Sequence, residues 1–185
     1  HSAWVNLEEL WLNDNLLGNK AAIAIGNNTT WRKLKKLSLG HNTISDNGGE
    51  VVGRNTTWVD LEELWFYQNP IGDRVARAIG QNLTWKKLKK LSLWSNQIGE
   101  EGALALALNA IWTDLEMLAL HQNKIGDFGV VLLPMTAAPL SPISFWYNQS
   151  SSRFTHVVFL PIASQPMSPI LLFPRVSFLR FFQVV

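Results

Sequence analysis

The sequence contains no cysteine. That excludes disulfides, thiolate zinc sites and a thiol nucleophile, and it agrees with a reducing, cytoplasmic setting. Charge is sparse as well: Asp, Glu, Lys and Arg make up 16% of 185 residues, and the formal net charge is +2. So weak a bias gives no ground for a nucleic-acid or membrane partner without a local patch. No apolar run is long enough to cross a bilayer, and prolines at 161, 166, 169 and 174 interrupt those near the C-terminus. No basic-then-apolar leader opens the chain, which begins His1-Ser2-Ala3-Trp4 and reads as part of something longer. Hydrophobic residues, at 47%, suffice for a core.

What is abundant is self-similarity. Trp4, Trp31, Trp58, Trp85 and Trp112 stand 27 residues apart without a slip. Each opens one phrase: WVNLEELWLNDN, WRKLKKLSLGHN, WVDLEELWFYQN, WKKLKKLSLWSN and WTDLEMLALHQN. The common frame is L-x-x-L-x-L-x-x-N, borne by Leu7, Leu10, Leu12 and Asn15 and their four echoes, with Phe66 once in place of the third Leu. In L-x-L the leucines fall on one side and the middle residue on the other, as a short strand requires. The apolar runs that follow, such as Ala21, Ala22, Ile23 and Ile25 or Val75, Ala76, Ala78 and Ile79, predict a short helix. One unit cannot bury its own apolar face, so neighbours stack into a continuous core. Asn15, Asn42, Asn69, Asn96 and Asn123 stand where the strand ends and the chain turns inward. A buried amide there serves backbone groups that no ladder reaches. The five frame tryptophans are expected in the core at the helix-to-strand turn.

This frame resembles the leucine-rich repeat, and the second half of each unit, such as NQIGEEGALALAL (Asn96–Leu108), is similar to the ribonuclease-inhibitor-like subtype. The resemblance covers roughly residues 4 to 133. It implies an α/β solenoid with a parallel sheet on the concave face and short helices on the convex face. It also implies the ligand-sensing or partner-docking portion of a larger protein, although fold alone does not select the partner.

The period fails at Pro134, which falls where Gly26, Gly53 and Gly80 stand in earlier units. Beyond Asp127 there is no acidic residue, and after Lys124 no lysine. The chain thus divides into a repeat array at 1–133 and an irregular Pro-, Ser-, Phe- and Val-rich tail at 134–185. The tail reads as a non-native extension, as a disordered or partly collapsed cover for the last unit, or as a membrane-associating segment. Neither end supplies the polar cap that an array requires, so the chain reads as a piece of a longer horseshoe.

The segments Arg32–Leu37 and Lys86–Leu91 look like polyanion patches until the units are stacked. Stacking sets equivalent positions about 4.8 Å apart on adjacent strands. Lys35 and Lys36 then lie between Glu8-Glu9 and Glu62-Glu63, and Lys89 and Lys90 between Glu62-Glu63 and Glu116-Met117. Asp60 and Asp114 flank Lys33 and Lys87 in the next column. Acidic and basic rows neutralise one another and disfavour register slips, which predicts a structural ladder instead of a nucleic-acid site.

In a solenoid, function belongs where the frame lets residues vary. On the strand face the first such column is Trp11, Ser38, Trp65, Ser92 and Ala119. The second is Asn13, Gly40, Tyr67, Trp94 and His121, and the third Asp14, His41, Gln68, Ser95 and Gln122. Large aromatics at exposed positions are the material of interface hot spots. The candidate site for a protein partner is therefore Trp11, Trp65, Tyr67, Trp94 and His121, rimmed by Asp14, His41 and Gln68. Other chemistry is thin. No histidines pair at i, i+4, and His41 and His121 lie three repeats apart, roughly 14 Å by strand spacing. No phosphate loop is present, Glu8-Glu9 belongs to the ladder, and no cofactor or catalytic residue is implied. Asn27, Asn28, Asn55, Asn82 and Asn148 head N-x-[ST] triplets, mostly on one repeated connector where a hydroxyl can serve the turn. The expected function is a protein-binding scaffold. A substrate-recognition portion of a larger enzyme or sensor, and a structural or degenerate array, are the other readings.

Overall fold

A computed structural model describes residues 4–109 and 111–125. The break at Pro134 and the whole tail lie outside the described residues. The elements alternate strictly: β1 (Glu9–Trp11), α1 (Asn19–Gly26), β2 (Lys36–Ser38), α2 (Asp46–Gly53), β3 (Glu63–Trp65), α3 (Asp73–Gly80), β4 (Lys90–Ser92), α4 (Glu100–Ala107) and β5 (Met117–Ala119). The five strands form one parallel sheet in sequence order. Register advances by one unit at every step, aligning Leu10, Leu37, Leu64, Leu91 and Leu118. Strand–helix alternation with short links makes each unit one supersecondary element, as the 27-residue period predicts.

The frame residues form the core. Leu37, Leu64 and Leu91 are fully buried, and so are Leu39, Phe66 and Leu93 one turn of the pleat further on. Phe66 thus does the work of the third leucine. Val52, Val75, Ile79 and Leu106 close the core from the helices. Helices of adjacent units approach closely: a Cβ on Gly80 would lie 2.3 Å from the Ala105 carbonyl oxygen. A side chain there would force neighbouring units apart.

The expectation for the frame tryptophans holds for three, holds in part for Trp31, which packs against the core without being fully covered, and needs correction for Trp4. Trp58 and Trp85 are fully buried and Trp112 nearly so, with the first pair stacked at 6.3 Å and 15°. Trp31 is only half-buried, and Trp4 is 59% exposed. A column residue is buried by the units on both sides of it, and among the described residues nothing stacks on the outer side of the first unit. The same end effect leaves Asn15 exposed, whereas Asn42, Asn69 and Asn96 are buried.

Two asparagine ladders stitch the units together. Asn42 Nδ2 donates to the Leu12 carbonyl of the preceding unit at 3.0 Å and to Leu39 at 2.9 Å. Its Oδ1 accepts from the Asn15 and Leu17 N–H groups. Asn69 and Asn96 repeat the pattern. The second ladder is Asn28, Asn55, Asn82 and Asn109. Asn55 donates to the carbonyls of Gly26 and Asn28 at 2.7 and 3.0 Å, and Asn82 to those of Gly53 and Asn55 at 2.9 Å each. Their Oδ1 atoms hold the turn that follows, with the Thr84 hydroxyl contributing at Asn82. The amides of Asn55 and Asn82 are thus buried structural groups, and the connector threonines serve the turn as expected, the Thr84 hydroxyl directly.

Helix starts are capped from the neighbouring unit. Asp46 accepts from the Gly72 N–H at 2.6 Å, and Asp73 from those of Gly99 and Gly102 at 2.6 and 3.1 Å. Asn19 serves Ser45 and Gly48 in the same way. Each side chain meets orphan helix donors, and the two carboxylates also favour the positive end of the helix dipole.

Candidate functional site

The outward face of the sheet carries the residues that alternate with the buried leucines. Its lowest column is Trp11, Ser38, Trp65, Ser92 and Ala119, in direct register. Trp11 is 53% exposed, Trp65 is half-buried, and Ser38 is buried between them. Each indole donates to the glutamate two residues earlier: Trp11 to Glu9 at 3.1 Å, Trp65 to Glu63 at 3.0 Å. The same glutamates take a lysine from the next strand.

Those lysines form the predicted ladder, with one difference. Lys35 pairs with Glu8 at 2.8 Å, Lys36 with Glu9 at 2.9 Å, Lys89 with Glu62 at 2.9 Å and Lys90 with Glu63 at 3.1 Å. Lys87 pairs with Asp60 at 2.6 Å. These five lysines reach back to the preceding acidic row and none reaches forward, while Lys33, expected beside Asp60, makes no ion pair among the described residues because the preceding unit offers it Asn6. A side chain can contact only one row closely, and the forward row contributes attraction at longer range. The hydrogen bond from Lys36, then that from Trp11, holds the Glu9 carboxyl below its ordinary range. Hydrogen bonds to Glu8, Glu9 and Glu62 raise Lys35, Lys36 and Lys89 respectively, with Glu62 and Glu63 adding to the first two from the forward side. The pairs are exposed or, at Glu62 and Glu63, partly buried, and such pairs contribute little stability individually. Their effect on the site is to cancel charge across the sheet.

The middle column holds the main feature. Tyr67 and Trp94 stack at 5.1 Å and 7°, and Trp94 and His121 at 5.3 Å and 7°. Three strands thus present three parallel rings, each half-buried, at close to the strand spacing. The stack leans toward the N-terminal side: a Cβ on Gly40 would lie 2.3 Å from Tyr67 Cζ, so the phenol ring rests on the Gly40 backbone. Burial, then the negative charge of Asp14, raises the Tyr67 hydroxyl above its ordinary value. Burial lowers His121, which favours the neutral imidazole in the stack. Gly40→Ala should therefore displace the ring and disturb the stack, since only the far end of a flexible side chain must give way. We expect the Trp94 indole and His121 imidazole NMR shifts to move, with stability changed by less than about 1 kcal/mol. Unchanged shifts would mean that the ring does not depend on Gly40.

The third column forms a rim of unusual backbone. Asp14, His41, Gln68, Ser95 and Gln122 have φ of 61°, 51°, 49°, 54° and 55°. This left-handed conformation costs an L-residue about 1–2 kcal/mol, yet no glycine occupies the column. His41 Nδ1 hydrogen-bonds Asp14 Oδ1, and that bond, then one from Asn13, lowers the Asp14 carboxyl.

The candidate residues are thus brought together unevenly. Tyr67, Trp94 and His121 form one stack, with Trp65 beside it on the same strand region and Asp14 with His41 as a pair beyond Gly40. Trp11 stands apart at the sheet edge, two strands from Trp65. Gln68 is exposed, and its side chain has no hydrogen-bond partner among the described residues. Sequence reasoning did not single out Gly40, although a glycine among Asn, Tyr, Trp and His in one column was the available signal. Among the described residues, no group of three or more His, Asp or Glu is placed to hold a metal, and no helix is long and apolar enough to cross a membrane.

Residues 32–53 and 86–107 match the family model described as Leucine Rich repeat. The two stretches are equivalent positions in the second and fourth units, each running from the basic strand phrase to the end of the helix. No curated protein matches the chain. The matched units, the recurrence of their frame and the parallel sheet with a helix in each of the first four units make this chain a leucine-rich-repeat protein.

Proposed function

We propose that the chain is a protein-recognition module that holds a partner on the outward, concave face of its sheet. Leucine-rich repeats in general mediate protein–protein interaction. The observation that carries the finer reading is the ring stack of Tyr67, Trp94 and His121, at positions the frame leaves free. Parallel rings supply apolar area at low entropic cost, because they are already held before a partner arrives. Trp11 and Trp65 flank the stack, and Asp14, His41 and Gln68 form its polar rim. Cancelled charge along the ladder favours a protein surface over a polyanion. The 27-residue unit with an eight-residue helix supports the ribonuclease-inhibitor-like subtype.

The test is affinity capture from native lysate with the full chain and two variants. One is Trp65→Ala/Tyr67→Ala/Trp94→Ala on the sheet face. The other is Leu104→Ala/Leu108→Ala, which removes exposed leucines at α4. A partner kept by the helix-face variant and lost by the sheet-face variant, at matched thermal stability, is the expected result. Equal capture by all three proteins would retire the aromatic site and favour a structural array. A captured enzyme subunit would favour substrate recognition.

A further inference from the structure

Four N-x-[ST] triplets fall among the described residues, headed by Asn27, Asn28, Asn55 and Asn82; that of Asn148 lies outside them. The four share a sequence signature and differ in their surroundings. Asn55 and Asn82 are buried, and each spends its Nδ2 group on two carbonyls of the unit before it. Their Oδ1 atoms hold the turn, accepting from the Thr57 and Thr84 N–H groups at 2.8 and 2.9 Å. Asn28 holds its own turn in the same way. Its Oδ1 accepts from the Thr30 N–H at 2.9 Å, the Thr30 hydroxyl at 3.0 Å and the Trp31 N–H at 3.1 Å. At Asn28 and Asn82 the hydroxyl two residues on is thus tied to the asparagine itself.

Asn27 stands one residue out of step with that ladder. It caps the C-terminal end of α1 with φ −85° and ψ 1°, and its backbone N–H reaches the Ile23 carbonyl. Asn27 and Thr29 are both exposed, and neither side chain makes a hydrogen bond among the described residues. Their exposure belongs to the column and not to the first unit. Arg54 and Gln81 take the position of Asn27 in the next two units, and Thr56 takes that of Thr29. All three are exposed with described units stacked on both sides.

We propose that Asn27 is the acceptor of an N-linked sugar, delivered by an activated glycosyl diphosphate, while Asn28, Asn55 and Asn82 stay bare. The reaction joins Nδ2 to the anomeric carbon of the sugar. The bond from that carbon to the diphosphate oxygen breaks with its electron pair, and one amide proton passes to a base of the transferase. The acceptor needs a free Nδ2 and a free hydroxyl two residues on. Asn27 and Thr29 supply both just past a helix end, where local opening costs little. At Asn55 and Asn82 the same reaction would strip two hydrogen bonds from a buried amide and set a bulky, hydrated group between units. A lipid-linked donor in a secretory lumen and a nucleotide-linked donor in the cytosol share this chemistry. A chain without cysteine meets no obstacle in an oxidising lumen. The sugar would stand at the end of α1 and leave the ring stack on the sheet open.

The test is peptide mass spectrometry of the full chain recovered from the cells that make it, beside Thr29→Val and Thr30→Val. Thr29→Val destroys the Asn27 triplet and keeps that of Asn28, and Thr30→Val does the reverse. The expected result is a sugar on Asn27 in the parent and in Thr30→Val, absent from Thr29→Val. The thermal midpoint of Thr29→Val should match that of the parent freed of its sugar, since Thr29 makes no bond that the turn needs. A branched oligosaccharide released by peptide N-glycosidase supports the proposal with the lipid-linked donor, and a single hexose supports it with the nucleotide-linked one. A bare Asn27 in the parent overturns it. So does a sugar that survives Thr29→Val and disappears in Thr30→Val, which would give the site to Asn28, or one found on Asn55 or Asn82 of the folded chain.

Discussion

Trp85→Ala should destabilise the array by about 3–5 kcal/mol, while Trp85→Phe should cost under about 2 kcal/mol. Trp85 is fully buried and stacked on Trp58, so truncation opens a cavity that both adjacent units line. The gap between the two variants has a separate cause. The indole N–H groups of Trp58, Trp85 and Trp112 are buried without a hydrogen-bond partner among the described residues. Phenylalanine keeps most of the apolar volume and removes that unsatisfied donor, offsetting part of the packing loss. Urea denaturation of both variants reads the difference. Equal losses would show that the N–H is satisfied in solution, by a water reaching the helix-to-strand turn.

Asn69→Ala should cost about 3 kcal/mol or more, although it removes only a few atoms. The side chain donates to the carbonyls of Leu39 and Tyr67 at 2.9 and 3.0 Å and accepts from the Ile44 N–H at 3.1 Å. Leu39 and Ile44 are fully buried. Alanine would strand their polar groups where water cannot reach, and the desolvation cost of the orphans exceeds the net value of the bonds themselves. Asn69→Asp separates donor from acceptor: it keeps the bond from Ile44 but presents a buried carboxylate to two carbonyls, and it should be no better than alanine. Hydrogen exchange at the Ile44 amide localises the damage. An unchanged urea midpoint for Asn69→Ala would contradict the ladder.

The array was legible in the sequence because its information is periodic. A 27-residue spacing of Trp, Leu and Asn fixes strand, turn and helix together, and Phe66 fits the frame by size and polarity. The depth of burial at Trp4 and Trp31 was not legible, since burial in a stack depends on the neighbour and not on the residue. Tyr67, Trp94 and His121 were recognisable as adjacent from register alone. That they stack, and rest on Gly40, is decided by side-chain torsions that no column alignment specifies. The left-handed rim escaped notice because Asp, His, Gln and Ser share no chemical signature, and no glycine advertises the backbone. The ladder of Asn28, Asn55, Asn82 and Asn109 recurs at the same period and was within reach. The sequence placed these triplets on the turn, but that their amides reach back to the carbonyls of the preceding unit depends on how the units stack.

Helix capping from the neighbouring unit has a consequence for how the array behaves in time. Because Asp46 closes the start of α3 and Asp73 that of α4, no unit's hydrogen bonding is complete by itself. An isolated unit therefore has an unfavourable intrinsic free energy, and the favourable part resides in the coupling between adjacent units. In a one-dimensional chain of that kind, loosening begins at the ends and spreads inward one junction at a time. Among the described strands, the slowest-exchanging amides should be those of β3, which has two further strands on either side. The ring stack starts on that strand region, so a partner seated there would meet the least mobile of the described units.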